Sequence, residues 1–441
     1  MTSRPRYYAF LKLSVILSAI VFLVLTLFID PRKDIIGTND DGSYFSYVRS
    51  VVVDRDLDLA NEYESLKITN FKYSPIGRPE NKYSVGFPLT VLPFYLLTHI
   101  FVLILNFLGA GLDATGYSVI YQLSFSLGAL VYGYAGLVIS CKLAKRYFSD
   151  RISFLSVLAI FSSSNIIYYF MREPFMSHLS SFFSVALFLY MWSIVRDGEG
   201  GKGACFTLGA AAGLMIIIRQ QDVTFLAVPL VDALIGYARE RKAPWFLSAG
   251  KLVAALAGFL PLIAVQLFVW KAVFGSFLVY SYSGESFIYA ASPKILEVLF
   301  SSKHGLISWN PIILAALAGL VLFMKARPRA GWLLLAAFLM QLYVNASWHM
   351  WWFGNSFGHR AFISSTPIFV IGLSALMDKA NSRGRTAWAV LGVSILAAWN
   401  MVMVLAYLSE MIPYADYFSW WELILKLKEL PAAVLRKIAS L

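Results

Sequence analysis

The residues best suited to chemistry are two adjacent carboxylates, Asp40 and Asp41, in the segment that follows the first hydrophobic stretch. Ten of the twenty-five carboxylates in the chain fall between Asp30 and Glu80, although only 14% of all residues are charged. A carboxylate that faces an apolar cleft can act as a general base, because desolvation raises its affinity for a proton. Helix capping by Asn39 and Asp40 is the simpler explanation, but it accounts for only one of the two acids. We therefore favour the catalytic interpretation of the pair.

The same segment carries a helical pattern and three further acids. Large apolar side chains recur after Asp41 at positions 44, 45, 48, 51 and 52, opposed by serines and Arg49. This pattern predicts a short amphipathic helix that lies in the membrane interface. Asp54, Asp56 and Asp58 have the alternate spacing of a calcium loop, but the turn glycine and the closing glutamate are missing. We interpret these three acids as solvated loop charge.

Three other turns concentrate ionisable and aromatic side chains between hydrophobic stretches. They contain Arg172, Glu173 and His178 in the first turn, Arg219 and Asp222 in the second, and Trp348, Trp351, Trp352, His359 and Arg360 in the third. A charge beside hydrocarbon needs a partner or a ligand, and the planar fork of an arginine pairs bidentately with phosphate. Aromatic faces can also stack on the C–H surface of a sugar. These turns are therefore candidate ligand sites.

Each turn also has a structural explanation. An Arg172–Glu173 surface pair with a satisfied histidine is as good an interpretation of the first turn as a binding role. An Arg219–Asp222 pair would explain the second turn, and an interfacial aromatic belt would explain the tryptophans of the third. We favour a ligand role for the second and third turns. The histidines lack metal-ligand spacing such as a helical i, i+4 pair, so we predict no zinc site.

Composition places these turns in a membrane protein. The chain is 59% hydrophobic and 16% aromatic, which excludes an ordinary soluble domain. Stretches of about the length needed for a span cover residues 9–29, 84–108, 116–140, 152–170, 177–195, 204–218, 222–237, 248–273, 305–323, 332–347, 361–376 and 387–408. The runs are continuously apolar, which excludes a strand-built barrel. We predict an all-α polytopic bundle of about 11–13 transmembrane helices with short external juxtamembrane helices.

The net charge of +12 is explained by topology, since Arg and Lys concentrate in short connectors. These connectors lie near residues 4–12, 142–151, 239–242, 325–329 and 379–385. By the positive-inside rule they are cytoplasmic, which places residues 30–83 and the C-terminal tail outside and favours an odd number of spans. If 84–108 and 116–140 both cross, however, connector 142–151 would be outside. Either one stretch, such as the one with Pro88 and Pro93, is not a simple crossing, or that connector is an exception.

We predict two regions in the chain. Residues 1–408 form one transmembrane domain that includes external loops 30–83 and 274–304, and residues 409–441 form an amphipathic tail with a surface helix broken near Pro431. The first apolar run has no small-residue cleavage site after it, so we expect a retained span. Only two cysteines occur, Cys141 and Cys205, both beside basic connectors. We therefore expect no disulfide framework.

Together these residues resemble the GT-C superfamily of integral-membrane glycosyltransferases, which includes protein mannosyltransferases and the aminoarabinose transferase of lipid A. The shared pattern is an acidic pair and a tyrosine in the first external loop, a Tyr-x-x-Gly/Pro-x-Pro-like entry to the next span, and a later span ending in a basic residue. Here these are Asp40, Asp41 and Tyr44, then Tyr83 to Pro88, then Arg219. The family often has Asp-Glu and two prolines where this chain has Asp-Asp and Val85-Gly86.

The resemblance implies an inverting glycosyltransferase of a bacterial plasma membrane that builds cell-envelope glycan at the extracytoplasmic face. A polyprenyl-phosphate sugar would be the donor, a glycan, lipid or protein hydroxyl the acceptor, and a divalent cation an optional assistant. Because Arg and Lys lie in short connectors, we expect no nucleic-acid partner. Asp40 and Asp41 would be catalytic. The substrate-binding residues would be Tyr44, Tyr83, Glu173, His178, Arg219, Trp351, Trp352, His359 and Arg360.

A transporter or flippase of lipid-linked sugars is the alternative function. It predicts functional charges near the bilayer midplane and repeat symmetry between the halves of the chain. The ionisable residues instead concentrate at the predicted outer ends of spans, and no internal repeat is visible. A non-catalytic scaffold would leave the Asp40 segment without a task. We therefore favour the enzyme.

Overall fold

The computed structural model describes residues 4–29, 35–37, 40–241 and 243–439, and the regular structure within these ranges is helical, apart from one isolated bridge between Tyr73 and Pro79. Helix α1 (Arg4–Val24) continues into a π-helical turn, Leu25–Ile29. Helix α2 (Asp40–Arg49) and a second π turn, Ser50–Asp54, form the segment predicted from its spacing. Asn39, the proposed cap, lies outside the described residues.

Helix α2 does not lie in the interface with one polar face. Residues 41–49 are all buried, because both faces of the helix have partners. Phe45 packs against Tyr95 and Phe125, while Arg49 forms ion pairs with Glu62, at 2.7 Å, and with Asp54. The polar side that suggested contact with water is therefore satisfied inside the protein.

Helices α3 (Ala60–Ser65), α4 (Gly86–Phe107) and α5 (Val119–Ala144) resolve the conflict over connector 142–151. The connector between α4 and α5 lies against the α2 segment, where the Thr115 carbonyl oxygen accepts a hydrogen bond from Arg49 Nε at 3.1 Å. The Gly116 carbonyl oxygen accepts one from the Tyr95 hydroxyl at 2.7 Å. Both ends of α4 therefore adjoin the same end of the bundle, and α4 does not cross it.

The longer of the remaining helices run back and forth between the two ends of the bundle, and short helices lie at their junctions and in the tail. In order they are α6 (Asp150–Ser163), α7 (Ile166–Met171), α8 (His178–Arg196), α9 (Gly201–Ile218), α10 (Ala227–Glu240), α11 (Ala249–Phe274), α12 (Ile295–Phe300), α13 (Leu306–Trp309), α14 (Ile312–Ala326), α15 (Pro328–Ser347), α16 (Thr366–Ser382), α17 (Thr386–Leu408), α18 (Trp420–Lys426) and α19 (Leu430–Ala439). Single 3₁₀ segments at Gln220–Leu226 and Arg360–Ser365 precede α10 and α16.

Ten helical segments in the described ranges are long and apolar enough to cross a membrane, so the chain is an integral, multi-pass membrane protein. Two of the twelve predicted stretches form shorter helices, the α6–α7 pair and α14. Leaving out α4 and adding these two gives eleven passages, an odd number. The basic connectors gather at one end, where Lys145 lies over the Tyr8 ring and Arg146 pairs with Asp197.

Glycines allow two helix pairs, α9 with α11 and α14 with α16, to pack in direct backbone contact. A Cβ on Gly209 of α9 would lie 1.9 Å from the Ala255 carbonyl oxygen of α11, and one on Gly319 of α14 would lie 1.9 Å from the Gly372 carbonyl oxygen of α16. Such contacts let backbones pack directly, as small residues do in membrane helix pairs. Helices α9 and α16 are thereby held in place.

Candidate active site

A cavity of about 1340 Å³ opens at the end of the bundle opposite the basic connectors. Its walls come from the α2 segment, the α7–α8 and α9–α10 junctions, the loop after α11, the α15–α16 turn, α17 and the C-terminal tail. The ionisable side chains in its lining are Asp40, Asp41, Lys82, Arg172, Glu173, His178, Arg219, Glu285, Arg360, Glu410 and Lys437. The cavity thus joins charged residues as far apart in the chain as Asp40 and Lys437.

Asp40 projects into this cavity from the first turn of α2. Its Oδ1 accepts a hydrogen bond from the Tyr83 hydroxyl, and its Oδ2 lies 3.3 Å from Arg360 Nη2. Both of these partners are side chains from other parts of the chain, and they orient the Asp40 carboxylate. A carboxylate offers about four acceptor positions, so the side chain, 29% exposed, retains capacity for a ligand.

Asp41 is buried one residue further on and has a different environment. Its Oδ2 accepts the Gly37 backbone N–H at 2.6 Å. Burial raises the pKa of Asp41, and the Gly37 N–H opposes that rise. A Cβ on Gly42 would lie 2.4 Å from the Gly37 carbonyl oxygen, so only glycine fits beside this turn. The geometry gives Asp41 a part in shaping the segment that presents Asp40.

Tyr44 and Tyr83 form an aromatic corner behind Asp40. Their ring centroids are 4.9 Å apart, and the Tyr44 hydroxyl donates to Ser177 Oγ at 3.2 Å. Tyr83 is also held through its backbone N–H, which donates to Asn81 Oδ1 at 3.1 Å. The corner fixes the position of the Tyr83 hydroxyl, which in turn holds one oxygen of Asp40.

Arg219 lies where α9 ends, in extended backbone (φ −143°, ψ 109°) that interrupts the two helical segments. Its Nη1 is 2.8 Å from His178 Nδ1, and its Nη2 donates to Gln221 Oε1 at 3.3 Å. Because a guanidinium can only donate, His178 accepts at Nδ1. Among the described residues Arg219 has no carboxylate partner, which leaves its charge available to an anionic ligand.

The structural alternative for Arg219, a pair with Asp222, does not form. The Asp222 carboxylate is fully buried, and it accepts hydrogen bonds from Ser181 Oγ at 2.6 Å and Gln341 Nε2 at 3.2 Å. These bonds tie the 3₁₀ segment before α10 to α8 and α15. Asp222 therefore stabilises the junction from which Arg219 projects.

Glu173 and Arg172 line the cavity at the α7–α8 junction. Glu173 Oε1 accepts the Tyr168 hydroxyl at 2.9 Å. Burial raises the pKa of Glu173, an effect that Tyr168, Arg360 and Arg172 oppose. Glu173 is thus a second acid, beside the Asp40 pair, that could exchange a proton with a ligand.

Three of the predicted binding residues do not line the cavity. Trp351 and His359 are buried, and Trp352 lies beneath the Lys303 ammonium, which is 4.0 Å from its ring centroid. His359 packs between Phe353 and Phe362, and burial lowers its pKa to about 3. Their roles as ligand contacts remain sequence-based predictions.

Several lining residues were not predicted from the sequence. These are Lys82, Tyr282, Glu285, Phe287 and Lys437. Lys82 adjoins Tyr83 and could have been inferred from it, whereas the loop after α11 carries no recognisable motif. In the described part of the chain, no three His, Cys, Asp or Glu side chains converge as a metal-binding group.

Solved structures share this architecture. ArnT from Cupriavidus metallidurans bound to undecaprenyl phosphate superposes with a TM-score of 0.56 at 13% identity, over 98% of this chain and 74% of that one; its apo state gives 0.55 at 14% identity and the same coverage. The Archaeoglobus fulgidus oligosaccharyltransferase in complex with Zn and sulfate gives 0.54 at 11% identity, over 92% of this chain and 57% of that one.

No protein-family model matches the sequence, and no curated protein matches it either. ArnT and the oligosaccharyltransferase are both GT-C superfamily members. The all-helical bundle with its cavity at one end therefore has the GT-C fold, as the resemblance predicted.

Proposed function

We propose that this protein is an inverting glycosyltransferase that moves a sugar from a polyprenyl-phosphate donor to an acceptor hydroxyl at the extracytoplasmic face of the membrane. One observation carries the proposal: a carboxylate, Asp40, lines the same cavity as Arg219, an arginine with no carboxylate partner among the described residues. Glycosyl transfer by a single displacement needs a base for the incoming hydroxyl and a cation for the leaving phosphate. These two residue types are both present.

The choice of donor has chemical and comparative support. A cavity at an extracytoplasmic end has no access to cytosolic nucleotide sugars, so an activated sugar must arrive on a lipid carrier. The ArnT structure that shares the fold holds undecaprenyl phosphate. The basic connectors at the opposite end of this bundle favour the cytoplasm by the positive-inside rule. A lipid-linked donor is therefore the consistent choice.

The proposed reaction proceeds in one displacement. Asp40 takes the proton from the acceptor hydroxyl as its oxygen attacks the anomeric carbon of the donor sugar. The bond between that carbon and the phosphate oxygen breaks, and its electron pair stays with the polyprenyl phosphate. Attack from the face opposite the leaving group inverts the anomeric configuration.

The surrounding side chains position these groups. The Tyr83 hydroxyl and Arg360 hold the two oxygens of Asp40 from different sides. Arg219 stabilises the charge that develops on the leaving phosphate, and His178, which accepts its Nη1 hydrogen bond, sets the direction of the fork. A preorganised donor of this kind is worth roughly 10²–10³-fold in rate.

The experiment is a release assay with the purified full-length protein in lipid nanodiscs. A panel of polyprenyl-phosphate sugars is supplied with a membrane extract as the acceptor source, and free polyprenyl phosphate is measured. We expect release that depends on the acceptor and disappears in Asp40→Asn. A flippase would move donor between leaflets without releasing polyprenyl phosphate. Absence of acceptor-dependent release from every member of the panel would contradict the proposed enzyme.

A further inference from the structure

One wall of the cavity is aromatic and belongs to the loop after α11. Tyr280, Tyr282 and Phe287 of this loop, together with Trp348, line the cavity. Trp348 packs edge-on with Tyr282, at 5.9 Å between ring centroids, and with Phe287, at 4.9 Å. Tyr280 and Phe287 are 58% and 47% exposed. We call Tyr282, Phe287 and Trp348 the aromatic wall.

The loop that carries the aromatic wall is anchored on both sides. Ser281 Oγ donates to the Lys82 carbonyl oxygen at 2.8 Å, and the His349 backbone N–H donates to the Ser286 carbonyl oxygen at 3.0 Å. Glu285 adds an ion pair with Lys82 at 2.6 Å. The rings of the wall are therefore held in place, which lowers the entropy cost of binding a ligand to them.

Exposed aromatic rings at a membrane protein end are often an interfacial belt, but the surroundings of this wall differ from a belt. Charged and hydrogen-bonding groups lie beside its rings. Glu285 Oε2 is 3.3 Å from His349 Nε2, and Lys82 Nζ lies 5.6 Å from the Tyr282 ring centroid. Aromatic faces carry partial negative charge and attract the polarised C–H groups of a sugar ring, while the charged groups bind its hydroxyls. A peptide backbone offers no comparable C–H face.

The wall begins one side chain away from the proposed base. Tyr282 packs against Tyr83, at 6.2 Å between ring centroids, and the Tyr83 hydroxyl donates to Asp40. The wall also lies outside the membrane-spanning helices, whereas a lipid-linked donor enters from the membrane. A ligand on the wall would thus approach Asp40 from the water side. That is the route of an acceptor.

We infer that the acceptor is a saccharide, whose ring stacks on the aromatic wall while a hydroxyl of it, or of the next residue, reaches Asp40. This inference rests on the proposed function, and it narrows the acceptor from glycan, lipid or protein to a glycan. Trp348 and Tyr282 would then determine acceptor specificity. They would contribute nothing to proton transfer itself.

The direct test is saturation-transfer NMR on full-length protein in phospholipid nanodiscs, which avoids sugar-based detergents. The probes are methyl α-D-glucoside, methyl α-D-mannoside and methyl β-D-galactoside, with the peptide Ala-Ser-Ala at equal concentration. We expect saturation of the C–H protons of at least one glycoside. The affinity should fall about tenfold in Trp348→Ala, as loss of an aromatic contact predicts, and less in Trp348→Phe.

Trp388→Ala is the matched control, because Trp388 is 74% exposed on α17 and is not among the residues that line the cavity. Absence of glycoside binding, equal binding in Trp348→Ala, or binding of the peptide alone would overturn the inference. No donor turnover enters this measurement, so failure of the release assay is a separate result. In that assay Trp348→Ala should raise the acceptor KM about tenfold and change the donor KM by less than about twofold. The reverse split would assign the wall to the donor sugar and also overturn the inference.

Discussion

Replacing Asp40 with Asn is the sharpest test of the proposed base. The amide keeps the size of the side chain and can still accept the Tyr83 hydroxyl, but it cannot take up a proton at neutral pH. A general base contributes roughly 10²–10⁴-fold in rate, which corresponds to about 3–5 kcal/mol of barrier. We expect acceptor-dependent release of polyprenyl phosphate to fall by that factor.

The same substitution removes one ion pair, and its effect on stability can be bounded. At 3.3 Å the attraction between Asp40 and Arg360 is about 5 kcal/mol at an effective dielectric constant of about 20. Most of this is offset by desolvation. Exposed pairs contribute about 0–1 kcal/mol and breaking a buried pair costs about 3–5 kcal/mol. With 29% of the Asp40 side chain exposed, we expect a loss of ~2 kcal/mol, too small to unfold the protein.

Donor binding, turnover and two neighbouring variants distinguish loss of the base from loss of donor binding or of the folded site. Donor binding to Asp40→Asn, measured by fluorescence with a polyprenyl-phosphate sugar, should stay within about threefold of the wild type, since Arg219 is intact. Tyr83→Phe keeps the carboxylate and should cost about tenfold or less, the worth of one hydrogen bond. Asp41→Asn should be milder than Asp40→Asn. Near-normal turnover by pure Asp40→Asn would refute the reasoning and transfer the role to Asp41 or Glu173.

The remaining predictions concern the phosphate site, a buried acid and the orientation of the chain. Arg219→Gln should weaken donor use about 10–100-fold, as loss of a charge-assisted hydrogen bond predicts, with Arg219→Lys intermediate in the release assay. Burial raises the pKa of Glu62 from 4.5 to about 7; its contribution to stability is therefore complete below pH 4.5 and is lost as pH rises through 7. Thermal unfolding in nanodiscs should occur at lower temperature at pH 8 than at pH 5, with a smaller difference in Glu62→Gln. Single cysteines at the exposed positions Ser65 and Ser419, in a background without the native cysteines, should react with a membrane-impermeant maleimide only from the extracytoplasmic side.

Each of these predictions has a clear contradicting result. Unchanged donor use in Arg219→Gln would remove that arginine from the phosphate site. A thermal unfolding temperature that rises with pH equally in wild type and Glu62→Gln would show that Glu62 is ionised in the folded protein. Labelling of either introduced cysteine only from the cytoplasm would invert the proposed orientation.

Much of the architecture follows from the sequence because membrane spans leave strong local signals. Long apolar runs and basic connectors predicted the helical bundle and the grouping of the basic ends. The position of α4 was harder to predict, since its 22 residues are as apolar as a true span. Only its contacts through Tyr95 and the neighbouring connector distinguish the two cases, and these are tertiary.

The residues of the candidate site were likewise only partly predictable from the sequence. Charged or hydrogen-bonding groups next to hydrocarbon cost free energy unless they bind a partner or a ligand. For this reason the sequence allowed the selection of Asp40, Tyr83, Arg219 and Arg360. The choice among the tryptophans could not be made, because spacing within a turn does not say which ring faces a cavity. Trp348 lines it, while Trp351 and Trp352 turn away. The sequence of the loop after α11 did not predict that this loop lines the cavity, because its position depends on contacts with residues some 60 to 200 positions away.

The failure of α4 to cross has a consequence for how the chain is made. A membrane-insertion machinery that reads hydrophobicity one segment at a time meets in α4 a stretch indistinguishable from a stop signal. Had α4 been threaded through, every later segment would emerge with the opposite orientation, and Arg219 and Arg360 would face the compartment away from Asp40. The contacts of Arg49 with Thr115, Glu62 and Asp54 therefore do more than stabilise a loop. They hold α4 and its connector at the α2 end of the bundle, which is the arrangement in which Asp40, Arg219 and Arg360 line one cavity.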